Sequence, residues 1–306
     1  MKRIFFYMVS AVVLTTACDK DKDIPEMTMT TQKTGYVTIS LAGSGKVTID
    51  WGDGSKKESH MLSEFYTTWM SEHKYSHNYV RSSDRTISLI GENITHLSCV
   101  DIGLTSLDVS KIITLQVLRC LINPLKSLDV SRNTDLIELE VYDIQLKNLD
   151  VSNNLKLKLL NCSINEIESL DVSNNAELEF LFCGTNQLID LDASKNKKLI
   201  SLYCDDNQLN SLNVKGLSNL EKLQCGKHVY TLDRHNRLTS LDVSGCTSLN
   251  YLDCEQNLLS IDALNALFET LHGNAVLPYK SIVIKNNPGA KDCDTSIAEI
   301  KGWQIL

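Results

Sequence analysis

From about Ile94 onward the chain repeats one arrangement of apolar and polar positions. Leu-Asp-Val begins at Leu107, Leu128, Leu149 and Leu170, then returns as Leu-Asp-Ala at Leu191, Leu-Asn-Val at Leu212 and Leu-Asp-Val at Leu241. The steps are 21, 21, 21, 21, 21 and 29 residues, the last being one period plus an eight-residue insertion near Lys227 to Arg234. The unit is clearest as Leu199-x-x-Leu202-x-Cys204-x-x-Asn207-x-Leu209-x-x-Leu212. Leu202 and Cys204 alternate with polar neighbours, which predicts a short strand with one face inward. Units of this length cannot bury their apolar face alone, so they stack and share a continuous core.

The other positions of the unit have physical roles. Leu209 and Leu212 fill the core as the chain turns away, and the Asp after each leading Leu is suited to cap a short convex turn. The turn asparagine can satisfy buried backbone groups through its amide, and stacked copies form a ladder. That position reads Ile102, Asn123, Ile144, Asn165, Asn186, Asn207, Asn236 and Asn257, so looser turns are expected at the two isoleucines. The inward slot reads Cys99, Cys120, Val141, Cys162, Cys183, Cys204, Cys225 and Cys254. Side chains in a parallel row cannot converge tetrahedrally on one metal ion. Disulfides between strands about 4.8 Å apart are harder to dismiss, but parallel Cβ vectors at that spacing exceed the usual ~3.8 Å separation. Reduced thiols that pack as small hydrophobes are the expectation, and Val141 in the same slot agrees with it.

This unit resembles the leucine-rich-repeat consensus, with cysteine for its third leucine, and is similar to the cysteine-ladder repeats of internalin J-type surface proteins. The resemblance covers about Ile94 to Asp262. It implies a solenoid of the α/β leucine-rich-repeat class, mostly parallel sheet, with eight units over 93–262 and a cap over 263–306. In that cap, Ile261, Leu264, Leu267 and Leu271 share one helix face. Ser281 to Ile284 reads as a strand, Asn286-Asn287-Pro288-Gly289 as a turn, and Ser296 to Lys301 as a short helix ended by Gly302.

Residues 34–92 lack the repeat. Tyr36-x-Thr38-x-Ser40 and Lys46 to Trp51 alternate like strands, a Gly52-Asp53-Gly54 turn follows, and Thr86 to Ile90 reads as a closing strand. Trp51-Gly52-Asp53-Gly54 and His77-Asn78-Tyr79 resemble a PKD-like β-sandwich, which implies a spacer or adhesion unit abutting the first repeat. Asp50 and Asp53 read either as a calcium site or as a turn whose carboxylates bond their own backbone.

The N-terminus predicts targeting. Lys2 and Arg3 precede an apolar stretch, Ile4 to Ala17, that is too short to span a bilayer comfortably. Thr15-Thr16-Ala17-Cys18 resembles a lipobox, with Thr15 departing from the preferred leucine. The resemblance implies a signal peptide over 1–18, lipidation of Cys18 and an outer-membrane anchor. A cleaved signal peptide with an incidental cysteine is the competing reading. Asp19 to Asp23 and the Thr-rich run to Lys33 read as a flexible tether. The charged cluster resembles the export signal of surface lipoproteins in Bacteroidetes-type bacteria, which implies cell-surface display, with the periplasmic face as the alternative.

Composition narrows the function. Net charge is −8, which gives no general attraction to nucleic acid. The seven histidines are scattered, and no nucleophile elbow, zinc-protease motif or phosphate loop is present, so neither enzyme nor cofactor is expected. The informative surface is the concave sheet, formed by residues at −3, −1 and +1 from each inward slot. Five of those 24 positions are aromatic, against 6% of the chain. Tyr142, Leu159, Phe180, Phe182 and Tyr203 should form an apolar patch, with Tyr251, Asp253 and Glu255 in a second, acidic one. Such a patch suggests a partner, either an extracellular protein or a glycan of a nutrient-uptake system, and a structural envelope protein without a dedicated ligand is the remaining reading. The β-propensity of aromatic residues would enrich them there too. The insertion near Lys227 is a second candidate binding loop.

Overall fold

The computed structural model describes residues 26–64, 73–227, 235–274 and 279–306. The N-terminal part contains β1 (Glu26–Thr31), β2 (Gly35–Asp50), β3 (Glu58–Leu62), β4 (His73–Tyr79) and β5 (Arg85–Val100). The repeats supply β6 (Leu104–Asp108), β7 (Val117–Leu121), β8 (Glu138–Glu140), β9 (Leu159–Asn161), β10 (Phe180–Phe182), β11 (Asp190–Asp192), β12 (Ser201–Tyr203), β13 (Ser211–Asn213), β14 (Lys222–Gln224) and β15 (Tyr251–Asp253). The C-terminal part contains α1 (Ile261–Thr270), β16 (Lys280–Val283), α2 (Ser296–Glu299) and β17 (Trp303–Ile305).

The end of β5 and strands β7, β8, β9, β10, β12, β14, β15, β16 and β17 pair in parallel, each one repeat further along. This is a leucine-rich-repeat solenoid. Its core is a set of residue columns. Leu118, Leu139, Leu160, Leu181, Leu202, Leu223 and Leu252 are fully buried, as are the ladder cysteines and Val141. Each buried leucine contributes roughly 2 kcal/mol, so stability accumulates from neighbour to neighbour along the stack.

Two asparagine ladders hold the turns. In the expected one, Asn186 accepts from the Ile167 amide at 3.0 Å and donates to the carbonyls of Cys162 and Cys183 at 3.0 and 3.1 Å. The turn residue before this position takes a positive φ at Ile122 (56°), Ile164 (53°), Thr185 (55°), Asp206 (50°) and Gln256 (52°). The turns at Ile102 and Ile144 are not loose. Both isoleucines are buried, and their amides are held by Asn123 and Asn165 of the following repeat. The missing amide of position 144 is felt one repeat earlier, where the Leu125 and Lys126 amides bond the carbonyls of Asn123 and Ile144 instead.

The second ladder, Asn133, Asn154, Asn175 and Asn196, lies on the convex side. Asn154 donates to the carbonyls of Val130 (3.0 Å) and Asn133 (2.9 Å), and Asn175 repeats the pattern on Val151 and Asn154. Cys246 takes the equivalent place further along, its thiol donating to Val214 O at 3.2 Å. The Asp of each Leu-Asp-Val caps its turn as expected, accepting from the amide two residues on at 2.8–2.9 Å, for example Asp171 from Ser173 and Asp150 from Ser152.

The N-terminal region departs from expectation in two ways. The tether does not run to Lys33: Glu26–Thr31 is β1, with Met27 and Met29 fully buried, paired with β5 on one side and β6 on the other. Alternating Met27, Met29 and Thr31 supply an inward face that the threonines between them masked. Nor does a sandwich over 34–92 stand apart from the repeats. The strand β5 crosses that boundary, pairing with β2 on one edge and β7 on the other, so both parts share one sheet and one core. The Thr31 hydroxyl donates to Ile102 O at 2.7 Å and closes the turn ladder at this end.

At the C-terminal end the repeat runs further than 262. Strand β16 continues the concave sheet, Ile284 occupies the inward slot, and Asn287 continues the ladder, accepting from Leu259 N (3.1 Å) and donating to Cys254 O (2.9 Å). The expected turn at Asn286–Gly289 is therefore another ladder turn. Helix α1 starts at Ser260, whose hydroxyl accepts from the Ala263 amide, and α2 ends before Gly302 at φ 80°. Trp303 closes the core and donates to His272 O at 3.0 Å.

Candidate ligand-binding face

Parallel register sorts the outward side chains of the concave sheet into rows. One row runs Val117, Glu138, Leu159, Phe180, Ser201, Lys222, Tyr251 and the next runs Arg119, Glu140, Asn161, Phe182, Tyr203, Gln224, Asp253. The third row follows each strand and includes Tyr142, Gly184, Asp205, Gly226 and Glu255.

The structure brings Leu159, Phe180, Phe182 and Tyr203 together. Leu159 is the register partner of Phe180, and Phe182 that of Tyr203. The rings of Phe182 and Tyr203 meet edge to face, with centroids 5.1 Å apart and planes at 88°. All four are half-buried, as are Tyr142, Tyr251 and Asp253. Tyr142 stands in the third row, two strands from Phe182, and is not joined to the pair. Tyr251 lies on β15 beside Lys222, further along the stack.

Charge divides this face. Towards the N-terminal end, Arg119 bridges Glu138 (3.0 Å) and Glu140 (2.8 Å), which leaves the trio one net negative charge. Burial, then the Arg119 charge, lowers His96 beside it to about 4. Towards the C-terminal end, Asp205, Asp253 and Glu255 gather around two glycines. A Cβ on Gly184 would lie 2.9 and 3.0 Å from the Asp205 carboxylate oxygens, and one on Gly226 would collide with Asp253 Oδ1 and the Glu255 amide. Asp253 accepts from that amide at 3.0 Å, yet burial first, and then the charges of Glu255 and Asp205, raise its carboxyl to about 6. Asp205 thus fills the space beside Gly184, and Asp253 and Glu255 the space beside Gly226.

Sequence reasoning placed Asp253 but passed over Gly184 and Gly226, whose meaning lies in what fills their missing side-chain space. It also missed the convex asparagine ladder, although Val-x-x-Asn recurs at 21-residue intervals and could have shown it. The seven ladder cysteines are buried and unbridged. Asp50 and Asp53 form turns on their own backbone, accepting from Gly52 N (2.9 Å) and Ser55 N (3.0 Å), and Asp53 also meets His77 Nε2 at 2.7 Å. Among the described residues no group of three potential ligands could hold a metal ion. Cys18, the signal peptide and the insertion beyond Lys227 lie outside the described residues.

No protein-family model and no curated protein sequence matches this chain. Solved structures do. An internalin (inlF) of Listeria monocytogenes is 20% identical with a TM-score of 0.52, over 64% of this chain and 55% of that one. The functional domain of InlJ from the same organism, which includes a cysteine ladder, is 24% identical with a TM-score of 0.42, over 71% of this chain and 62% of that one. A leucine-rich-repeat protein of Leptospira interrogans is 20% identical with a TM-score of 0.46, over 67% and 58%. This chain thus spans little more than half the length of each. What the likeness to the inlF structure shows is the fold: the chain is a leucine-rich-repeat solenoid.

Proposed function

We propose that this protein is a non-catalytic, adhesin-like binding protein that grips a protein ligand through its concave face. The observation that carries the reading is the half-exposed cluster of Leu159, Phe180, Phe182 and Tyr203 on the concave sheet. Aromatic side chains that present large area at low entropic cost are typical anchors of protein interfaces. A protein is favoured over a glycan by the 88° angle of the Phe182–Tyr203 pair, which offers an edge and a face rather than one flat platform for a sugar ring. The lipobox-like Thr15 to Cys18 supports an outer-membrane anchor with display at the cell surface. No helix among the described residues is long and apolar enough to cross a membrane.

The test is a binding screen of the full chain against extracellular matrix proteins, mucins and polysaccharides, beside a Phe180→Ala/Phe182→Ala/Tyr203→Ala variant. The expected result is a protein ligand lost only in the variant. Retained affinity would remove the concave face from consideration, and binding abolished by glycosidase treatment would reassign the ligand to a glycan.

A further inference from the structure

The concave sheet ends at β17, which pairs with β16 on one side and with no other strand among the described residues. The Leu306 amide bonds Ile282 O at 2.9 Å, so by strand alternation the backbone groups of Trp303 and Ile305 point to the open side. An edge of this kind is a template for a further strand, and proteins commonly blunt it with charge. The open edges at the other end are blunted in that way: β3 carries Glu58 and His60, and β4 carries His73, Lys74 and His77. The run Trp303-Gln304-Ile305-Leu306 carries no charge.

Apolar side chains flank this edge at both of its ends. Tyr279 and Ile300, which precede β16 and β17, are 87% and 85% exposed, and Leu306 beyond β17 is 41% exposed. The last layer of the core is also incomplete. Trp303 is covered, but Ile305, the register partner of the fully buried Ile282, is only half-buried because no repeat stacks beyond it.

We propose that this edge joins two copies of the chain, whose β17 strands pair antiparallel about a twofold axis at Gln304. Self-complementarity argues for this occupant, since a twofold interface must match itself. Pairing centred on Gln304 sets Trp303 of one copy opposite Ile305 of the other, and these are the residues whose backbone groups are free. The same pairing brings Ile300 and Tyr279 of one copy towards Leu306 of the other, so apolar surface meets apolar surface at both ends of the strand, and it covers Ile305. Charge does not oppose it. Residues 279–306 hold four lysines (Lys280, Lys285, Lys291, Lys301) and three carboxylates (Asp292, Asp294, Glu299), a local net of +1, so the −8 of the whole chain is carried elsewhere.

The pairing would run two concave sheets into one. Eleven strand steps would then separate the two Phe182–Tyr203 clusters, roughly 50 Å along the sheet at about 4.8 Å per strand. The dimer would thus present two copies of the concave face to one partner or to two.

The test is sedimentation equilibrium of the full chain over a wide concentration range, beside an Ile300→Lys/Leu306→Lys variant. Both residues are exposed, so the variant should keep the thermal midpoint of the wild type. The expected result is a mass that doubles with concentration in the wild type, with association weakened tenfold or more in the variant. A second measurement uses Gln304→Cys. At the centre of an antiparallel pair that residue faces its own copy at a non-hydrogen-bonded position, where side chains come closest. Mild oxidation should therefore give a disulfide-linked dimer on a non-reducing gel, and Ser59→Cys, exposed on β3, should not. A chain that stays monomeric, an association that the double variant leaves intact, or Gln304→Cys that crosslinks no better than Ser59→Cys would each overturn the inference.

Discussion

Asn165 accepts a hydrogen bond from the Leu146 amide at 2.9 Å while its own amide nitrogen donates to Val141 O at 2.8 Å, so one side chain ties its turn to the preceding repeat. Asn186 and Asn207 do the same further along. Replacing Asn186 with alanine leaves several buried backbone groups without partners, at about 1–3 kcal/mol each when unsatisfied. The expected loss is about 3 kcal/mol in chemical denaturation. A loss below about 1 kcal/mol would mean that water or relaxation replaces the ladder.

Ile122, Ile164, Thr185, Asp206 and Gln256, each before a ladder asparagine, adopt left-handed backbone, and at Ile164 this is strained. Its φ is 53° and the side chain is largely exposed, so little packing offsets the β-branched clash. Ile164→Asn should therefore stabilise by about 1 kcal/mol, read as a higher denaturation midpoint. An unchanged or lower midpoint would show that Ile164 contributes packing of equal size.

Acid should destabilise the solenoid through its convex caps. Hydrogen bonds from the following serine hold Asp108, Asp129, Asp150, Asp171, Asp192 and Asp242 below the ordinary carboxylate value. Groups lowered on folding stabilise the protein above the unfolded value near 3.8 and lose that contribution as pH falls below it. Thermal midpoints should thus drop steeply below about pH 4. Asp171→Asn, which keeps the acceptor, should flatten that drop slightly, and an identical acid profile would refute the capping account.

Asp253 has the opposite sign. Its carboxyl is raised to about 6, so its contribution to stability is present below the unfolded value of 3.8 and is lost as pH rises through about 6. Asp253→Asn should therefore raise stability at pH 7.5, by about 1 kcal/mol once solvent screening is allowed for. The gain should vanish near pH 3.5. A destabilising effect at pH 7.5 would mean that the carboxylate has a compensating partner.

Thiol accessibility tests the ladder. Cys99, Cys120, Cys162, Cys183, Cys204, Cys225, Cys246 and Cys254 are buried, whereas Cys293 is half-buried. Burial also pushes the Cys162 thiol up to about 12, so the reactive thiolate is scarce. A maleimide reagent should label none of the eight in the folded protein and all of them in denaturant. Labelling that stays incomplete in denaturant without reductant would reveal disulfides and sink the free-thiol account.

The repeat was legible because its period is a statement about burial: Leu202 and Cys204 recur with their partners wherever a strand must turn one face inward. The cap helix was legible from Leu264, Leu267 and Leu271, although Ile261, expected on the same face, is exposed and Phe268 is buried instead. Strand β1 was not, because Met27 and Met29 sit among threonines that suit a strand edge and a polar linker equally. Asn287 was hidden by Pro288 and Gly289, which read as a turn in any context.

The solenoid, its period, its inward cysteines and the residues of its concave rows follow from the order of residues, because stacking identical units converts sequence position directly into spatial position. How the ends close and where charge accumulates follow from contacts made only in the folded chain. The pairing of β1 with β6 and the continuity of β5 depend on contacts between distant segments. The gathering of Asp205, Asp253 and Glu255 over Gly184 and Gly226 depends on which way side chains lean into space their neighbours leave empty. No periodicity encodes that, since it arises from the packing of four successive repeats against one another.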